Sequence, residues 1–168
     1  MKEFKNETYS ITFNSLWSTT ATLANTAAIK SYRIDWGSIL PQGKYSMTFT
    51  MISEAINLTN GLNSLPCVYA NLYASNNAYF CIGQDTFKTE FLGVLSIGGL
   101  LDPNTHLNFL KADTMTNEPL FFNTRPTNNE FTVTVYNNSN PLTTWLDSGN
   151  VPASISDYVL TLHFTRLE

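Results

Sequence analysis

Apolar and polar positions alternate with a period of two along much of this chain. Thr8–Phe13 puts Tyr9, Ile11 and Phe13 on one side, and Ser31–Trp36 does the same with Tyr32, Ile34 and Trp36. In Lys44–Ser53, Tyr45, Met47, Phe49 and Met51 alternate with Ser46, Thr48 and Thr50. Glu130–Tyr136 sets Phe131, Val133 and Val135 against Thr132 and Thr134. Asp157–Arg166 sets Tyr158, Leu160, Leu162 and Phe164 against Thr161, His163 and Thr165. Successive side chains of a strand point to opposite faces, so each segment predicts a strand with one buried and one solvated face. The β-branched and aromatic content fits a pleated, half-buried surface.

Less regular apolar runs fill the middle: Cys67–Tyr73, Tyr79–Ile82, Phe87–Ile97, His106–Lys111 and Leu120–Asn123. They read as strands covered on both sides or hidden by loops. Between them stand Pro41-Gln42-Gly43, Asn60-Gly61, Ser75-Asn76-Asn77, Asp102-Pro103-Asn104, Asn128-Asn129 and Asn137 to Pro141. Gly and Asn tolerate positive φ and Pro presets φ, so each cluster can reverse the chain. No segment shows sustained helical spacing. Leu16–Ile29 comes closest, but its threonines favour a loop or an irregular edge. The prediction is an all-β chain, one domain over residues 1–168, with about eight to ten antiparallel strands, the load of a jelly-roll sandwich. The long connections Leu16–Ile29 and Asn137–Ser156 suit the crossovers of that architecture. The strand pattern by itself leaves immunoglobulin-like and trimeric tumour-necrosis-factor-like sandwiches open.

Composition adds a surface to this fold. The chain of 168 residues is 43% hydrophobic but only 13% charged, with nine basic and thirteen acidic side chains. Soluble domains average about 25% charged residues. Here 22 Thr, 19 Asn and 14 Ser take their place. A surface of neutral hydroxyls and amides leaves little charge repulsion to hold copies apart, which favours a protein that sits against neighbours. A net charge of −4 with scattered basic residues offers no electrostatic footprint for nucleic acid. The longest nearly apolar run, Phe91 to Leu101, has eleven residues, against the roughly 20 of a membrane-spanning helix. The start, MKEFKNETYSITF, lacks the apolar block of a secretory signal, so folding in the cytosol is expected. The glycosylation-type triplets at Asn6, Asn57 and Asn137 are then chance matches.

Candidate chemistry is sparse. If Cys67–Ala74 and Tyr79–Ile82 form a hairpin across Ser75–Ala78, Cys67 lies well down the strand from Cys81. At about 3.3 Å per residue that is too far for a disulfide. The two histidines, His106 and His163, have no Cys or second His at zinc-ligand spacing. A cupin-type metal site would need more inward histidines than two. No Ser sits in G-x-S-x-G, and neither Cys has the local context of a catalytic thiol. Asp35, Glu54, Asp85 and Glu90 are the acids near expected strands in the first 100 residues, but no spacing pairs them as glycosidase carboxyls. Gly98-Gly99 is not a phosphate loop, because no lysine or helix follows. The reading is a non-enzymatic chain with no cofactor, metal or catalytic residue. Among the aromatic residues, Trp36 is expected in the core, while Trp17 and Trp145 lie in the long loops, where a sugar platform or a subunit contact is natural.

One set of segments resembles a known family. Tyr32-Arg33-Ile34-Asp35-Trp36, then Leu40-Pro41-Gln42-Gly43-Lys44-Tyr45 running into Ser46–Ser53, is similar to small capsid proteins of large icosahedral double-stranded DNA viruses and their virophages. So is the closing strand Tyr158 to Glu168. The resemblance implies a single jelly roll acting as a minor capsid or vertex (penton) protein of the virion, made in the host cytoplasm. It would assemble with copies of itself and with major capsid proteins. The family motif maps no interface residue; the two long loops, Leu16–Ile29 and Asn137–Ser156, are the expected contact segments. The alternatives are a carbohydrate-binding or receptor-binding sandwich using Trp17 or Trp145, and a metal-dependent or carboxylate enzyme of sandwich or cupin fold.

Overall fold

A computed structural model describes residues 6–19, 29–53, 56–57, 66–73, 91–102, 107–115, 117–136 and 157–167. Among them the strands are β1 (Thr8–Asn14), β2 (Ile29–Arg33), β3 (Tyr45–Ser53), β4 (Ile56–Asn57), β5 (Cys67–Ala70) and β6 (Phe91–Val94). They continue with β7 (Ser96–Asp102), β8 (Leu107–Ala112), β9 (Leu120–Phe122), β10 (Glu130–Tyr136) and β11 (Tyr158–Arg166). A 3-10 turn, Ser15–Trp17, follows β1, and one helical turn, α1 (Trp36–Ile39), follows β2. Besides the short β4 and β9, nine strands are described, within the eight to ten expected from the periodicity.

All strand pairs are antiparallel and form two sheets. The larger runs β1-β11-β3-β8-β4, with β7 also on β8 and β9 also on β3; the smaller runs β2-β10-β5-β6. The pairing is nested: β1 lies beside β11, β2 beside β10, β3 beside β8 and β9, and β5 beside β6. Early strands thus meet late ones, while consecutive strands β1, β2 and β3 alternate between sheets.

The inner faces meet in one core. Tyr45, Met47, Phe49 and Met51 of β3 lie beside Leu160, Leu162 and Phe164 of β11, facing Tyr32, Val68, Phe131 and Val133 of the smaller sheet. Rings carry the contact between sheets: Phe13 stands edge-on to Phe131 at 5.0 Å, and Trp36 packs on Phe131 at 5.6 Å and Phe164 at 5.9 Å. Full burial of each large apolar side chain contributes about 1.5–3 kcal/mol before chain entropy is set against it.

The strand expected over Ser31–Trp36 ends at Arg33. Ile34 N–H turns to the carbonyl of Asn129, and Asp35 caps a helical turn by accepting from Gly37 N–H at 3.0 Å. Pro41, just beyond, stops that turn, since a residue before proline is pushed out of the helical region. Trp36 is still core, 1% exposed, with its indole N–H on the carbonyl of Asn128. A single turn is too short to leave a helical periodicity in the sequence. The apolar run from Phe91 divides at the buried Leu95, whose N–H reaches Pro66 O: β6 belongs to the smaller sheet and β7 to the larger. In β7, Gly98 lies under the ring of Phe109, where a Cβ would stand 2.1 Å from a ring carbon. Packing explains that glycine. Among the described residues no helix is long and apolar enough to cross a membrane.

Candidate functional site

The alternation that buries one face of β1, β11 and β3 builds an array made mostly of hydroxyls on the other. Strand register sets it in rows: Thr8–Thr165–Ser46–Phe121, then Ser10–His163–Thr48, then Thr12–Thr161–Thr50, then Asn14–Val159–Ile52–Lys111. Hydroxyls bind across the strands, Thr12 Oγ1 to Thr161 Oγ1 at 2.9 Å. His163, half-buried, sits at the centre with Nδ1 2.9 Å from Ser10 Oγ and Nε2 3.2 Å from Thr50 Oγ1. A Ser–His contact of this length is what nucleophile activation requires. The far nitrogen, however, meets a hydroxyl, which orients the ring without the negative charge that steadies an imidazolium. What the arrangement does directly is lock three strands side by side through their solvent-facing side chains.

One end of this face is apolar. Ile52 (51% exposed) and Val159 (37%) are cross-strand partners in the last row. Asn14 continues that row, and the 3-10 turn behind it exposes Leu16 and Trp17, each 71% accessible. The turn is held from beneath. Asn14 Oδ1 accepts from Leu16 N–H at 2.9 Å, and buried Ser15 donates to Asp157 Oδ1 while accepting from Tyr158 N–H. Under it, Tyr32 OH donates to Tyr158 OH at 3.1 Å. Burial pushes the Tyr32 phenol up to about 12, against the lowering effect of its hydrogen bond with Tyr158, and raises Tyr158 further, with Tyr32 adding to the effect.

A second feature is a half-open depression of about 500 Å³ at the β2 edge of the smaller sheet, lined by Thr19, Ser31, Tyr32, Arg33, Glu130 and Thr132. Ser31 and Thr132 share a hydrogen bond of 3.0 Å, and Arg33 Nε donates to Glu130 Oε1 at 2.9 Å. The lining is polar and its ion pair is exposed to water.

The structure separates the sequence candidates. Trp17 is an exposed indole; Trp36 is a core residue and offers no platform. Asp35 is a helix cap rather than a free acid. Cys67 is buried on β5, a strand that pairs with β10 and β6. Trp145, His106, Cys81, Glu54, Asp85, Glu90 and the loop Asn137–Ser156 lie outside the described residues. Leu16–Ile29 is described only at its ends, as the 3-10 turn and the start of β2. The Ser10–His163–Thr50 cluster was visible in the sequence only as three polar strand positions, because residues so far apart are joined by register alone.

Compared with known proteins, the chain matches no family model, no curated protein and no solved structure.

Proposed function

We propose that this chain is a structural subunit of a viral shell, a minor capsid or vertex protein built as a single jelly roll, assembling with its own copies and with major capsid proteins. The observation that carries the reading is the nested pairing of β1 with β11, β2 with β10, β3 with β8 and β5 with β6 in two facing sheets. Winding one long hairpin into two Greek keys produces that order, and capsid subunits and lectins are built on it. The outer face of the larger sheet supports the shell reading: hydroxyls in three rows, the exposed pair Ile52 and Val159 at one end, and two more exposed apolar residues, Leu16 and Trp17, beside it. Such a face suits contact with another protein, where an apolar centre is ringed by neutral polar groups.

Native mass by light scattering over a range of concentrations tests the reading. A discrete pentamer, or a complex with a major shell protein, is the expected result. A monomer at every concentration that joins no shell protein overturns it. The second reading, a carbohydrate-binding module, is favoured by the exposed indole of Trp17. It expects a fluorescence change on sugar addition that Trp17→Ala abolishes; silence on a glycan array with unchanged fluorescence rejects it.

A further inference from the structure

Sheet edges display unpaired backbone groups, and proteins blunt them with bulges, charges, short strands or covering segments. The described edges here are treated unequally. β6 is capped by Asn117, whose amide accepts from Val94 N–H at 2.8 Å and donates to Val94 O at 3.1 Å. β2 carries Arg33 and the inward-pointing, buried Lys30, and Thr19 N–H covers Ser31 O. β7 has two register shifts against β8. Among the described residues β1 shows none of these guards: Thr-Tyr-Ser-Ile-Thr-Phe-Asn is uncharged, free of proline, and pairs with β11 over seven consecutive positions without a shift.

Its free edge can be read from the ladder. Arg166 N–H bonds Glu7 O at 2.8 Å, so Tyr9, Ile11 and Phe13 turn their backbone groups to β11. Thr8, Ser10, Thr12 and Asn14 therefore turn theirs outward. The strand is also a chemical palindrome about Ile11: hydroxyl, aromatic, hydroxyl, Ile, hydroxyl, aromatic, amide.

We propose that β1 is a self-association edge, pairing antiparallel with β1 of a second copy about a two-fold axis at Ile11. In that register Ser10 faces Thr12 of the second copy, and each such pair exchanges two backbone bonds. Asn14 N–H reaches Thr8 O at both ends, while the Asn14 carbonyl stays with the 3-10 turn it caps. On the inner side Tyr9 meets the second copy's Phe13. Tyr9 and Ile11, only half-buried by their own sandwich, gain cover. The partner is a copy of this chain because the pattern complements itself, residue type for residue type, with bonding groups and faces both in phase. The pairing is isologous and stands apart from the shell reading.

The test is cross-linking with native mass. Facing Ile11 residues form a non-bonded pair with Cα atoms about 4.5 Å apart, within disulfide range. Ile11→Cys is expected to give an oxidised dimer, while wild type, with its two native cysteines, and Tyr9→Cys do not. Thr12→Pro deletes an outward N–H and no backbone bond to β11, and is expected to weaken the dimer at least about tenfold relative to Thr12→Ala, which removes only the hydroxyl contact with Thr161, two backbone bonds being lost by symmetry. A wild-type monomer with no Ile11→Cys cross-link overturns the proposal, as does a dimer that Thr12→Pro leaves unchanged. A pentamer without the cross-link rejects this contact and keeps the shell reading. A cross-linked dimer that joins no shell protein does the reverse.

Discussion

Tyr32 and Tyr158 give the sharpest quantitative test of the core. They come from different sheets, are 4% and 2% exposed, and bond hydroxyl to hydroxyl at 3.1 Å. Tyr158→Phe leaves the Tyr32 hydroxyl buried without its acceptor; Tyr32→Phe leaves the Tyr158 hydroxyl without its donor. An orphaned buried polar group costs about 1–3 kcal/mol, while removing both partners is close to neutral. Each single variant should therefore lose about 1–3 kcal/mol in urea unfolding followed by tryptophan fluorescence. The double variant should lose less than about 1 kcal/mol, and in a double-mutant cycle the single losses should not add. Alkaline titration supplies a second readout. Burial raises both phenols above their ordinary value of 10.0, Tyr32 to about 12 and Tyr158 beyond. The unfolded chain ionises from about pH 10 while the folded pair keeps its protons. The pair's contribution to stability is therefore level below about pH 10 and falls as the pH rises from about 10 to 12. The Phe–Phe variant should fall less steeply there. A double variant as destabilised as the sum of the two singles would refute the reasoning, because the hydroxyls would then not be answering each other's burial.

Three further substitutions probe the frame. Gly93→Ala places a Cβ 2.2 Å from Asn117 Oδ1 and 2.8 Å from the Phe49 ring, and overpacking of this kind is expected to cost about 1–3 kcal/mol in the same unfolding assay. Asn117→Ala removes both bonds at the β6 edge; amide exchange at Val94 should quicken, while exchange at Leu162 in the centre of the larger sheet is unchanged. Arg33→Ala breaks an ion pair whose side chains are 75% and 67% exposed, so stability should move by less than about 0.5 kcal/mol at physiological salt.

The strands were legible where alternation was strict. β1, β3, β10 and β11 follow their expected segments to within a residue at either end, since a strand with one wet face must alternate. Ser31–Trp36 read as one more alternating segment because Trp36 happens to continue the Tyr32–Ile34 face. The Asp35 cap and the bond from Ile34 to Asn129, 95 residues away, turn the chain there. In the largely apolar run from Phe91, only Ser96 follows the division at Leu95, and a lone serine does not tell which sheet each half joins. Of the surface, the sequence offered Trp17 as an exposed ring in a loop, and that is where it stands.

Local pattern, then, determined which residues face inward, that the chain is β throughout, and that its surface is neutral and rich in hydroxyls. These follow from the two-residue repeat and from composition, which need no partner strand. Which strand lies beside which was decided only in three dimensions, because pairing depends on contacts between residues as far apart as Thr8 and Thr165. Ser10, His163 and Thr50 became one cluster, Tyr32 and Tyr158 one pair, and β1 the outer strand beside β11 through that pairing. A strand's alternation says which way its side chains point, and nothing about the neighbour they meet.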